Sequence, residues 1–328
     1  MAIYGLIVGI NYYNDPLNKL NGCINDMKDY EAQLLKYGVP TENIVRISDD
    51  PARNDIYPSK ANIMAEVAKL QAKIKPGDTV FISYSGHGTN TRDVGKNETD
   101  GKAEATYTAD GKLITDDEFY GKVLTLPKGA KALVVMDCCH SASMLDLRNG
   151  ISKIETKRPD NTNHGYVVML SGCQDNQTSA DYLAERGVKP TLTREFKMGE
   201  KGQRRYRGAL TASLMDLIDK QGLKYVLDTA LSGSLALMRV MNKKLVTWLK
   251  KGGFDQVPNM AYEGALPKQA RGDLTHAFTV SRYPLRVTKA RAENFVDGVK
   301  RLEAKIEEEI AAHRHHHEAS EKRRSARR

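Results

Sequence analysis

Two stretches of the chain end an apolar run in residues that can do chemistry. "FISYSGHGTN" at 81–90 delivers His87 between two glycines, and "VVMDCCHSAS" at 134–143 delivers Cys138, Cys139 and His140. A cysteine nucleophile needs thiolate character, a histidine within reach and donors for an oxyanion. Cys139 and His87 meet that need if their strands are neighbours. In such a scheme Cys139 attacks a peptide carbonyl, and His87 polarises the thiol and then protonates the leaving amine. The backbone N–H groups of Gly88 and Cys139 hold the oxyanion, and the glycines around His87 allow close approach of the backbone. A buried cysteine is by default a small hydrophobe, so the pair alone is a weak signal. His140 reads as loop-shaping, since His87 already fills the base role. A zinc module fits badly, because adjacent cysteines without a Cys-x-x-Cys spacing do not readily present tetrahedral ligands.

The surrounding elements must bring these groups together. Apolar runs at 3–10, 43–48, 79–84, 131–137 and 165–171 predict strands. Helical periodicity predicts helices over 23–38, 59–74, 115–126, 209–222 and roughly 226–251. Ile24, Met27, Tyr30, Leu34 and Leu35 form the apolar stripe of the first helix, which stops at Gly38. Ser59 opens the second, and Thr115 with Glu118 fits a capping box at the third. Residues 85 to about 113 read as a polar loop, with late strands at 257–264 and 276–282. Buried strands alternating with amphipathic helices predict an α/β domain with a mostly parallel sheet flanked by helices in three layers. Ligands of such sheets bind at the carboxyl ends of the strands, and both reactive stretches lie just past such an end.

Composition bounds the class. The 328 residues are 40% hydrophobic, enough for a core, and carry a net charge of +9. Of that charge +4 sits in the last sixteen residues, "HRHHHEASEKRRSARR", with six Lys/Arg against two Glu. A locally sticky tail, able to contact nucleic acid or an acidic surface, therefore fits better than nucleic-acid binding by the whole body. Four cysteines in so long a chain make no disulfide framework, and a reducing compartment fits. "MAIYGLIVGIN" has neither a basic leader nor the length to span a bilayer, so a cytoplasmic protein is expected. Residues 186–208 read as a basic, glycine-dotted insert, and 287–312 as an amphipathic helix.

"YSGHGT" followed some fifty residues later by "DCCHSAS" resembles the metacaspases, caspase-like cysteine peptidases of family C14. "LNGCINDMKDY" at 20–30, "ITDDEF" at 114–119, "SGCQDNQTSAD" at 171–181 and "GALT" at 208–211 agree in order. The resemblance spans roughly residues 1–265. It implies the caspase–haemoglobinase α/β fold, with a peptidase domain over 1–283 (a p20-like part to about 150, a p10-like part over 164–283) and a C-terminal helix and basic tail over 284–328. It implies the type I-like form without an N-terminal prodomain, a monomer, and a His87–Cys139 dyad. It further implies cleavage of proteins or peptides after Arg or Lys, in an S1 pocket of Cys23, Asp26, Ser85 and Asp137. Fixed carboxylates facing a guanidinium or ammonium supply that selectivity. Calcium activation is implied at Asp100, Asp116, Asp117 and Asp146. Two departures stand out. The chain reads "DGKAE", with Ala103 where an acid is typical, and Ala142 replaces the glycine usual after "CHS". A peptidase cutting after basic residues would meet "RNGISKIETKRP" (148–159) and "KGQRRYRG" (201–208) in its own chain, so autoprocessing is expected. The competing expectation is a catalytically weak homologue acting as a binding or regulatory module through its basic tail.

Overall fold

A computed structural model describes residues 1–12, 19–92, 102–138 apart from 124, 147, 149–150, 164–172, 196–197, 204–205, 207–252, 254 and 256–264. The strands are β1 (Ile3–Gly9), β2 (Ile44–Ser48), β3 (Thr79–Ser85), β4 (Gly88–Arg92), β5 (Lys102–Tyr107), β6 (Leu113–Thr115), β7 (Lys131–Asp137), β8 (Asn149–Gly150), β9 (Tyr166–Ser171), β10 (Phe196–Lys197), β11 (Arg204–Arg205) and β12 (Asn259–Glu263). The helices are α1 (Cys23–Tyr37), α2 (Lys60–Lys73), α3 (Asp116–Val123), α4 (Ala209–Gln221), α5 (Leu223–Ala230) and α6 (Leu235–Gly252).

Seven strands form one sheet in the order β2-β1-β3-β7-β9-β12-β8. β2, β1, β3, β7 and β9 run parallel, and β12 turns antiparallel against β9. The parallel strands are buried on both faces, which is why they read as continuous apolar runs rather than alternating ones. Leu6, Val8, Ile82, Val134 and Met136 point to a core closed by Ile63, Val67 and Leu70 of α2 and Phe119 of α3. Ile7, Phe81, Leu133, Val135 and Val168 point to the opposite core, with Met27, Tyr30 and Leu34 of α1 and Leu210 and Leu214 of α4. The expected three-layer α/β/α architecture is thus present.

Local signals hold at several helix ends. Gly38 takes φ 94° and closes α1 with its N–H on the Leu34 and Leu35 carbonyls, as a left-handed C-terminal cap requires. Ser59 Oγ accepts from Asn62 N–H at 3.2 Å. At α3, Thr115 N–H donates to Glu118 Oε2 at 3.0 Å and Glu118 N–H donates to Thr115 Oγ1 at 3.3 Å, the reciprocal pair of a capping box.

Three expectations need correction. The segment from 85 to 113 holds β4 and β5, which join β6 in a three-stranded antiparallel sheet, β4-β5-β6. β5 buries small or polar residues, Ala103, Glu104, Ala105 and Thr106, so it lacks the apolar signature of a strand. The helix expected over 226–251 is two helices, α5 and α6, broken where Gly233 adopts φ 75° within "SGS", a breaker signal. Leu35 belongs to the predicted apolar stripe but is 41% exposed. The strand expected at 276–282, the helix at 287–312, the tail and the 283/284 boundary lie outside the described residues.

Candidate active site

The site lies at the carboxyl edge of the parallel strands. β3 and β7 pair in register, Ser85 opposite Asp137. His87 follows Ser85 by two positions, as Cys139 follows Asp137 in sequence; Cys139 itself lies outside the described residues. His87 is only 9% exposed, and its backbone is held from two sides. Its carbonyl accepts from Tyr107 N–H at 3.0 Å and lies 3.0 Å from the Tyr84 hydroxyl, which also reaches the Tyr107 carbonyl at 2.8 Å. The small sheet missed in the sequence therefore fixes the loop that carries the histidine. It also orients Gly88. The chain has no cis peptide among the described residues, so the Gly88 N–H points opposite to the His87 carbonyl, away from β5.

A second cluster sits on the α1 and α4 side of the same edge. Cys23 and Asp26 belong to the first turn of α1 and are buried, as are Ser85 and Asp137. The N-terminus of α1 has no cap from Gly22. Asn11, just past β1, supplies one instead: its Oδ1 accepts from Cys23 N–H at 3.0 Å and from Ile24 N–H at 3.4 Å. Asp49 in turn accepts from Asn11 N–H at 2.8 Å and Tyr12 N–H at 2.6 Å. Gly9 lets α1 come this close, since a β-carbon there would lie 2.5 Å from the Cys23 carbonyl oxygen.

The two carboxylates meet at the start of α4. Gly208 N–H lies 3.1 Å from each oxygen of Asp26. Thr211 donates to Asp137 Oδ2 from its N–H and its hydroxyl, both at 2.8 Å. Tyr30 hydroxyl donates to Thr211 Oγ1 at 3.2 Å. Burial pushes the Tyr30 phenol well above its ordinary range, and Asp137, Asp26 and Asp29 push in the same direction, so it remains a donor. Arg207 forms an ion pair with Asp29 at 2.5 Å, and its side chain is 6% exposed. Arg207 and Gly208, at the end of the 201–208 segment, are thus anchored to α1. Arg204 and Arg205 pair in register with Lys197 and Phe196. Gly208, Thr211, Tyr30 and Asn11 escaped the sequence reading as site residues, although "GALT" was visible as a motif.

Of the residues implied for calcium, Asp116 and Asp117 occupy the first turn of α3, between β3 and β7 in chain order. Asp116 is fully buried, and its Oδ1 accepts from Asp117 N–H at 2.6 Å. β5 pairs with β6 so that Ala105 faces Thr115. Glu104 and Asp116 are the next residues along on either side, and both are buried. Ala103, the departure from the acidic pattern, is buried as well. Asp100 and Asp146 lie outside the described residues. Among the described residues no group of three or more His, Cys, Asp or Glu is placed to hold a metal ion. Cys23 and Cys138 are both buried. No described helix is long and apolar enough to cross a membrane.

A polar, histidine-bearing site at the carboxyl edge of a mostly parallel sheet between helical layers fits the caspase-like class of α/β proteins. The comparisons narrow it. Residues 4–148 match the family described as metacaspase, peptidase C14 domain. Metacaspase-2 of Trypanosoma brucei brucei is 33% identical over 301 residues, covering 86% of this chain and 79% of its own. Metacaspase-3 of Trypanosoma cruzi is 32% identical over 294 residues, covering 84% and 75%. A crystal structure of a Geobacter sulfurreducens protein shares the fold with a TM-score of 0.54 at 22% identity, covering 83% of this chain and 97% of that one. The chain belongs to the metacaspase family and is a caspase-like cysteine peptidase, a hydrolase acting on proteins.

Proposed function

We propose that the chain is an endopeptidase that cleaves after Arg or Lys, with Cys139 as nucleophile and His87 as its acid–base partner. One arrangement supports this most: Asp26 and Asp137 are buried together beside Ser85 and Cys23, at the strand edge from which His87 emerges. Two neighbouring carboxylates suit a guanidinium, which donates in bidentate pairs, and suit an ammonium less well. An aspartate side chain would meet like charge there. Gly88 offers an N–H directed away from β5, free of that strand pairing, and this suits an oxyanion donor. The test is hydrolysis of matched short peptides ending in Arg, Lys or Asp, each with calcium and with chelator. The reading predicts rapid release from the Arg peptide, slower from Lys and none from Asp. Preference for Asp would overturn it.

Calcium activation and autoprocessing belong to the same reading. Asp116 and Asp117, with Asp100 and Asp146, would supply the hard oxygen donors that Ca²⁺ prefers, and the ion's role would be to organise the loops around the dyad. Self-cleavage falls in 148–159 rather than after Arg207, because Arg207 is held by Asp29 and the next amide by Asp26. Incubation with millimolar calcium should give fragments ending in a basic residue from 148–159, absent in Cys139→Ala. A fragment ending at Arg207, or fragments persisting in the Ala variant, would contradict this.

A further inference from the structure

Two buried carboxylates side by side resist carrying two charges, because repulsion favours protonating one of them. A half-neutral pocket would distinguish poorly between a cationic side chain and a neutral one of the same shape. The first turn of α4 meets this difficulty. Gly208 directs its N–H at both oxygens of Asp26, and Thr211 directs two donors at Asp137 Oδ2. The Thr211 hydroxyl has one proton. Tyr30 donates to its oxygen, so that proton is committed to Asp137. The positive end of a thirteen-residue helix adds to the effect.

We propose that Gly208 and Thr211 are positioning residues for specificity: they hold Asp26 and Asp137 in place as a pair of charged acceptors and thereby set the preference for a cationic residue before the cut. This rests on the reading of Asp26 and Asp137 as the S1 carboxylates. Two observations separate the proposal from ordinary helix capping. The acceptors come from two other elements, 182 and 74 residues away in the chain, rather than from the residue that opens the helix. Gly208 has φ −62°, so its backbone does not call for glycine. It is the space that does, because a β-carbon there would overlap the Asp137 carboxylate. Cys23, Tyr30 and Asp29 on α1, with Arg207 paired to Asp29, are further ionisable groups described around this cluster.

The experiment compares peptides ending in arginine with peptides ending in citrulline, its neutral isostere. Wild type should favour arginine strongly. Thr211→Val, which keeps the shape and the N–H but loses the hydroxyl, should raise KM for the arginine peptide about tenfold, with kcat and the citrulline kinetics little changed. Thr211→Ser should restore the wild-type ratio. Should Thr211→Val fail to fold, Tyr30→Phe serves in its place, with the same direction and an effect of about threefold. An unchanged arginine-to-citrulline ratio in the variant that folds, or an equal loss on both peptides, overturns the proposal. If wild type itself makes no distinction, it is the S1 reading that fails.

Discussion

Asp26 and Asp137 are both buried and both served by α4 donors, so each carries more weight than an exposed carboxylate would. Asp26→Asn and Asp137→Asn should each lower kcat/KM for an arginine peptide by about 10²-fold, while leaving the thiol reactive toward a small alkylating agent. Loss of alkylation along with hydrolysis would mean that the substitution had disturbed the dyad rather than the pocket. Residue types alone made these positions look unremarkable: Asp26 sits on an amphipathic helix where a solvated acid is the ordinary case, and Asp137 at a strand end where capping is. Their meaning came from the surrounding motifs. Nothing local in the sequence marks Gly208, because its role depends on a carboxylate from a distant strand.

At the level of elements, β1 and α1 are joined through Asn11. Asn11→Ala should cost about 1 kcal/mol, a fall of about 2–4 °C in the melting midpoint, and should raise KM because Cys23 and Asp26 ride on the freed turn. At the opposite edge of the sheet, Asp78 accepts from Ala2 N–H at 2.7 Å and Lys75 N–H at 3.0 Å. Burial alone would push its pKa up, but these bonds hold the carboxyl below its usual range. A carboxyl depressed in the folded state stabilises above its unfolded value, about 3.9, and that contribution fades as the pH drops through the folded value. Asp78→Asn should therefore melt earlier than wild type at pH 7, with the gap closing below about pH 4. A gap independent of pH would contradict the assignment. The parallel strands were legible because burial on both faces makes them uniformly apolar. Helix ends were legible through Gly38, Ser59 and the Thr115–Glu118 pair. β5 was not, because Ala103, Ala105 and Thr106 fill its space without hydrophobic bulk. The split between α5 and α6 was written in "SGS", but the apolar spacing on either side of it reads as continuous.

For the whole molecule, the proposed calcium dependence links α3 to a pocket built by β3, β7, α1 and α4. Asp117→Asn should raise the calcium concentration for half-maximal activity at least about tenfold, and calorimetric titration should show the same weakening of binding. Unchanged binding would remove Asp117 from the site. The central claim, a cysteine nucleophile served by His87 above an acidic pocket, is tested most directly by covalent trapping. A peptide reagent with arginine next to an electrophilic ketone should modify Cys139 alone among the four cysteines, and His87→Ala should slow the labelling sharply. The same reagent carrying aspartate should leave the protein unmodified. An adduct on Cys23, Cys138 or Cys173, or equal labelling by the aspartyl reagent, would contradict the account.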